Sequence, residues 1–315
     1  MQKFFFFICV FVSFLLSIQS YAAVITVDAN HPSVGMYKSL YSAHEAANSG
    51  DTILVYPFAG LYNAIEVTKK LRIIGRGWYD VFGKNISTAI SGTMTFSEGS
   101  DGSSLEGFEF DFRVFINAND ITVKRNDLSY IRITNGHSGT VIMQNYICAD
   151  NDNYTLHIYT ENEAFIANNI IINKDDYSNA SGIYATSDSV TINIIHNIIL
   201  GSYYSLSVYG SNHYVANNIL IGKISAKDYT GFHNNLINVD LNTVYDSNNW
   251  YKLKENSPAI GTGTNGTDIG IYGGSTPFVL GGYPSIPRIV NIEADHLGTK
   301  SHGLDVKIKA TTVRE

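Results

Sequence analysis

Four aspartates fall in the two longest intervals of a repeat. Asp150 and Asp152 follow Asn145 by five and seven residues, and Asp175 and Asp176 follow Asn169 by six and seven. If the two loops are neighbours, four carboxylates crowd together, and their repulsion favours either a bound Ca2+ or a raised pKa on one acid. Both outcomes suit chemistry on sugars. A carboxylate pair serves as acid and base in hydrolysis, whereas a cation or an arginine neutralises a uronate while a base removes the adjacent proton. Asp150, Asp152, Asp175 and Asp176 are therefore the candidate catalytic residues. The plainer alternative is loop acids held in Asx-turns.

Around these acids lie groups that could neutralise or hold a sugar: Arg125, Arg132, Lys174 and His157. Tyr154 and Tyr184 belong to the same stretch, with Tyr159, Tyr177, Tyr203, Tyr204 and Tyr209 nearby. Aromatic faces stack on sugar rings while the hydroxyl keeps the ring wettable. Other tyrosines of the set are expected to fill the core. His137, His213 and His233 have no metal-ligand spacing.

What positions them is the repeat itself. An apolar residue, two spacers, an Asn, one spacer and an Ile or Leu recur at Val123-Asn126-Leu128, Ile142-Asn145-Ile147, Ile166-Asn169-Ile171, Ile194-Asn197-Ile199, Val215-Asn218-Leu220 and Phe232-Asn235-Ile237. Leu105-Phe108-Phe110 fits the frame with Phe in the Asn slot. Successive asparagines are 19, 24, 28, 21 and 17 residues apart, the wandering period of a coiled solenoid with variable loops. Asn119, Asn168 and Asn193 give overlapping matches, which leaves the phase open by a residue. Asn126, Asn145, Asn169, Asn197, Asn218 and Asn235 are read as a structural ladder, each amide donating to and accepting from its neighbours. The residue before each is polar: Arg125, Gln144, Asn168, His196, Asn217 and Asn234. Alternation sends that row outward, as a solvated stripe or one that grips a polysaccharide.

The remaining segments punctuate this frame. Short apolar runs such as Ile170-Ile171-Ile172, separated by Asn, Asp, Ser and Gly, read as stacked strands of four to six residues. Val24-Ile25-Thr26-Val27 reads as a first strand and Tyr37 to Asn48 as the one convincing helix, expected to cap the first coil. At the other end, Pro277, Gly281-Gly282, Pro284 and Pro287 have linker composition, followed by two short strands over Arg288 to Ala294 and Leu304 to Ala310. That pair is expected to pack on the last coil, because a lone hairpin is marginal in water.

At both ends the sequence also resembles a family. The run Gly50-Asp51-Thr52-Ile53-Leu54-Val55, then Pro57, Gly60 and Tyr62, and then Lys70 to Gly77 (KLRIIGRG), resembles the opening coil of right-handed parallel β-helix proteins of the pectin-lyase-like superfamily. Ser257-Pro258-Ala259-Ile260-Gly261 and Asp268-Ile269-Gly270-Ile271-Tyr272-Gly273-Gly274 are similar to its ending, in particular in secreted proteins of Bacteroidetes-type bacteria. Phe58-Ala59 is an insertion relative to the family. The characteristic signatures of pectate lyases, polygalacturonases and pectin methylesterases are absent.

Composition and address agree with this reading. Lys3, the apolar run Phe4 to Leu16 and Ser20-Tyr21-Ala22 form a secretory signal, too short for a membrane span. Without it, 20 basic residues face 28 acidic ones, and nucleic acid is excluded as a natural partner. Cys148 is then the single cysteine, so no internal disulfide is possible.

The expectation is an all-β, right-handed parallel β-helix of about eight to ten coils, with an N-terminal capping helix and a C-terminal β appendage. Residues 1–22 form the signal, 23–274 the β-helix, and 275–315 a linker and hairpin. A secreted monomer (periplasmic, extracellular or cell-surface) acting on or binding polysaccharide follows, as a lyase or hydrolase. The alternative is a non-catalytic binding or structural module.

Overall fold

A computed structural model describes residues 22–31, 35–78, 87–110, 113–159, 163–186, 191–225, 230–246, 249, 251–295, 301 and 303–312. Apart from Ala22, the signal read from residues 1–22 lies outside them.

The middle coils each pass through three short strands. Thr140–Met143, Tyr146–Ala149 and Tyr154–Ile158 form one coil, and Ala164–Ala167, Ile170–Asn173 and Ser181–Ala185 form the next. First strands stack in parallel into sheet 1, ten strands from Val24–Val27 to Gly231–His233. Second and third strands make two further parallel stacks, sheets 2 and 3. These are joined where Ile198–Val208 runs through both without a corner. The chain is thus a three-sided parallel β-helix. At a strand spacing of about 4.8 Å, ten rungs span roughly 40–45 Å.

Alternation fills the centre. Ile53, Ile73, Leu105, Val123, Ile142, Ile166, Ile194 and Val215 pair one above the other along sheet 1, all with no exposed surface. Burying each of these side chains contributes about 1.5–3 kcal/mol.

One rung out, the asparagine ladder forms in the frame read from sequence. Asn169 Oδ1 accepts from the backbone N–H of Asn145 (2.9 Å) and from Asn145 Nδ2 (3.0 Å), while Asn169 Nδ2 donates to Asn197 Oδ1 (3.0 Å) and to the Ile142 carbonyl (2.9 Å). The same pattern joins Asn126 to Asn145, Asn197 to Asn218 and Asn218 to Asn235. Phe108 occupies the next slot, and its N–H donates to Asn126 Oδ1 at 3.0 Å.

The residues before the ladder turn the corner between sheets 1 and 2. Arg125, Gln144, Asn168, His196, Asn217 and Asn234 have φ of 58, 58, 54, 56, 60 and 53°. This left-handed conformation costs roughly 1–2 kcal/mol at a residue other than glycine. Gly107, at φ 80°, takes the same position above them without that cost.

The C-terminal chain covers this corner, so the polar row is buried from Arg125 to Asn217 and exposed only at Asn234, not a solvated stripe. Residues 264–285 form a strap that runs back along it from the last coils towards the first. Asn217 Oδ1 accepts from Thr264 N at 2.9 Å, and Asn168 Nδ2 donates to the carbonyls of Ile271 (2.9 Å) and Gly273 (2.8 Å). Gln144 Nε2 donates to the Thr276 and Pro277 carbonyls, and Arg125 Nη1 to Ser285 Oγ. His196 lies against Gly273 and Gly274, where a β-carbon on Gly273 would collide with its ring. Beneath the strap, Ile269, Ile271 and Phe278 pack on Ile170, Ile198, Ile219 and Trp78. The stretch with linker composition is therefore anchored chain.

The helix is Leu40–Ala46, capped by Ser39, whose hydroxyl accepts from Ser42 N. Leu40 and Ala43 join the main core. Lys69 Nζ donates to the carbonyls of His44, Glu45 and Ala47 at the helix end. At the C-terminus, Arg288–Ala294 and Val306–Thr311 form an antiparallel hairpin whose residues are nearly all exposed. It is rooted not on the last coil but near Trp78, because the strap carries the chain back to the early coils, where Trp78 N donates to the Gly281 carbonyl. Among the described residues, no helix is long and apolar enough to cross a membrane.

Candidate functional site

With sheet 2 under the strap, the outward face of sheet 3 gathers the aromatic and basic side chains. Its strands read RVFI, YIRI, YTLHI and SGIYA, with alternate apolar residues turned inward. The residue between the inward pair stacks in one column: Phe115, Arg132, His157 and Tyr184, each paired with the next. Tyr130 and Arg113 form a neighbouring pair.

His157 is the centre of the cluster. Its ring stacks on Tyr159 at 4.1 Å and 22° and meets Tyr154 and Tyr184 edge-on at 4.8 and 5.1 Å. Tyr154 and Tyr184 are themselves stacked, 4.1 Å apart and 17° from parallel. Tyr130 Oη lies 3.5 Å from His157 Nδ1, while Nε2 is buried without a hydrogen-bond partner among the described residues. Burial first, then the Arg132 charge, pushes the imidazole pKa down to about 4, so it is neutral at pH 7. Burial likewise pushes Tyr130 up to about 12.

Two guanidinium groups border this patch. Arg132 lies 4.0 Å from the Phe115 ring centre, a cation–π contact. Arg113 sits 5.3 Å from the Tyr130 ring centre and forms an ion pair with Asp152. Towards the solvent, Tyr159 and Tyr209 are 37% and 50% exposed.

The two acidic loops do come together at the corner between sheets 2 and 3. Asn173 Nδ2 donates to the Asp152 carbonyl, and Asn173 Oδ1 accepts from Asp175 N. Burial raises the Asp175 pKa; the Asp152 N–H opposes this, and Asp152, Asp150 and Asp176 add to it. Yet the acids do not converge on one point. Asp152 is committed to Arg113, and exposed Asp150 to Lys174 at 3.1 Å. Among the described residues no group of three or more His, Cys, Asp or Glu is arranged to hold a metal ion.

Of the sugar-binding candidates, His157, Tyr154 and Tyr184 are brought into contact, whereas the Lys174 side chain pairs with Asp150 beside Cys148. Arg125 is elsewhere. It is 2% exposed under the strap, where Nη1 pairs with Glu106 at 2.8 Å and Nε donates to Gln144. Arg113, Phe115 and Tyr130 escaped the sequence reading. Aligning the third strand of every coil, with its x-apolar-x-apolar pattern, would have placed them in the same columns.

A carboxyl pair lies on sheet 2. Asp127 pairs in register with Glu109, and burial, then the Glu109 charge, pushes Asp127 up to about 7. Two concavities lie elsewhere, about 320 Å³ beside Phe165 and about 560 Å³ beside His44, and neither is lined by lysine or arginine.

Among solved structures, the chain is similar to the crystal structure of pectate lyase Pel9A, with 14% identity and a TM-score of 0.43, covering 80% of this chain and 96% of that one. No protein-family model and no curated protein matches the sequence.

Proposed function

We propose that the protein is an exported glycan-binding β-helix protein and that the outward face of sheet 3 is its binding surface. The observation that carries this is the cluster around His157, in which stacked Tyr154 and Tyr184 continue into the exposed rings of Tyr159 and Tyr209. Exposed aromatic faces of this kind match the apolar faces of pyranose rings. A rigid sheet holds them at fixed spacing, so little ordering entropy opposes binding.

Enzymatic action on the bound chain, as a lyase or hydrolase, is the other reading of the sequence. Binding is favoured because two of the four candidate acids, Asp150 and Asp152, are each paired with a basic side chain. Affinity electrophoresis through gels containing neutral and acidic polysaccharides tests the proposal. At least one glycan should retard the protein, and Tyr159→Ala with Tyr209→Ala should weaken retention about tenfold or more. Retention by no glycan, or retention unchanged by both substitutions, overturns it. Unsaturated products or new reducing ends in the same mixtures would support the enzymatic reading.

A further inference from the structure

The C-terminal hairpin has one apolar face, and that face is open to solvent. Its register pairs Ile289 with Ala310, Ile292 with Ile308 and Ala294 with Val306, and alternation puts these three pairs on the same side. Asn291 with Lys309 and Glu293 with Lys307 occupy the other side. The four large side chains of the apolar face are 48–61% exposed, and both alanines are exposed as well. A two-stranded hairpin is marginal in water, and a contiguous exposed apolar face marks a contact surface.

The chemistry of the face narrows what can cover it. It offers no aromatic ring to a sugar and no Trp or Tyr to seat it among lipid headgroups. The outer edges of the strands are poor templates for further strands, since the register slips at Val290 on one and Lys307 and Lys309 line the other. In shape the face fits itself. Ile289 and Val306 stand at one pair of opposite corners, Ala310 and Ala294 at the other, and Ile292 and Ile308 lie between. A second copy laid on it about either two-fold axis in the plane of the sheet brings every large corner against an alanine. Charge agrees with this pairing. The polar side carries Arg288, Lys307 and Lys309 against Glu293 in a chain of formal charge −7, so pairing sets basic segments between two acidic bodies and buries no charge.

We propose that the apolar face of the hairpin is a self-docking surface that joins two copies of the chain in a two-fold dimer. The inference does not depend on the glycan-binding reading, and it makes the monomer expected from the sequence the dilute form. The face supplies roughly half of the ~800 Å² that each partner gives to a standard interface, so the dimer is weak, with a dissociation constant on the order of 100 µM.

Sedimentation velocity of the purified protein from about 5 to 500 µM tests this and should show a reversible monomer–dimer equilibrium. Ile292→Lys with Ile308→Lys should weaken the dimer about tenfold or more, and leave the thermal melt of the β-helix in place because both side chains are exposed. Ala310→Phe separates fit from mere stickiness. It adds apolar area, which strengthens an unspecific contact, but it fills a corner that the partner's large side chain needs, so a fitted dimer should weaken about fivefold or more. Lys309→Gln, on the polar side, should change the dissociation constant by less than about twofold. A monomer at every concentration, a dimer that survives the double substitution, or one that Ala310→Phe strengthens overturns the inference. Assemblies that grow past a dimer overturn it too. So does flotation with phosphatidylcholine vesicles that the double substitution abolishes, which would give the face to a lipid surface.

Discussion

Gln144 Nε2 donates to the Pro277 carbonyl at 2.7 Å, joining residues 133 positions apart. The same amide reaches the Thr276 carbonyl at 3.1 Å, so a single side chain from the corner satisfies two strap carbonyls. Gln144→Ala should therefore destabilise the protein by about 1–2 kcal/mol, since both carbonyls lose their donor in a partly buried setting. Urea denaturation measures this. A change within error would mean the strap is seated by its apolar side alone.

Within the ladder, cost should depend on position. Asn169→Ala removes the acceptor for two Asn145 donors and the donor to Asn197, all without exposed surface, and is expected to cost about 2–4 kcal/mol. Asn235, at the half-buried end, accepts from Asn218 and donates to the Val215 carbonyl in a partly buried setting, with no ladder asparagine beyond it, so Asn235→Ala should cost less, about 1 kcal/mol. Equal losses in thermal or urea denaturation would argue against a ladder whose strength lies in burial.

Asp127 makes stability fall as pH rises. Its folded pKa, about 7, lies above the unfolded value of 3.8, so the folded state binds the extra proton between them. The favourable contribution is complete below pH 3.8 and is lost as pH rises through 7. Asp127→Asn should raise stability at pH 8 by on the order of 1–3 kcal/mol relative to wild type, with little effect at pH 4. Melting temperatures at the two pH values check the sign, and an equal shift at both would contradict it.

His157 acts on the acid side. Its folded pKa of about 4 lies below the unfolded 6.5, so the unfolded chain takes the proton first as pH falls. Its contribution is complete above 6.5 and is lost between there and 4. Replacing it by Gln should flatten the decline in stability over that window by on the order of 2 kcal/mol. Stability curves of equal slope for the two proteins from pH 6.5 to 4 would refute this.

Much of the scaffold is legible in the sequence because its forces are local and periodic. The ladder phase holds at all six asparagines, and the overlapping matches resolve physically. Asn168 takes the corner conformation at φ 54°, Asn193 lies in a sheet 1 strand, and Asn119 bonds to Asp101 and Ser138 at another turn. What alternation cannot say is what lies on an outward residue. Arg125 and Gln144 do point away from the core, and a segment more than 130 residues later covers them. The aromatic cluster is half legible for a related reason. His157, Tyr154 and Tyr184 sit beside the noted loops, whereas Phe115 and Tyr130 join them only through pairing between coils. Likewise the spacing of the four aspartates foretold their proximity; of the cations that separate Asp150 from Asp152, Lys174 belongs to the second acidic loop and is in view there, whereas Arg113 comes from an earlier coil.

The strap also sets the order of events in time. Ladder partners are 17 to 28 residues apart, so coils can add one after another from any nucleus. Along the buried corner row the strap bridges from 47 residues, where Thr264 meets Asn217, to 160, where Ser285 meets Arg125, and it has no docking surface until the corner rows of several coils are stacked. It is a closing step, and closure changes how the molecule comes apart. A bare stack frays coil by coil from its ends; one tied lengthwise must release the strap before interior coils can open, so its unfolding rate should be governed by that single release.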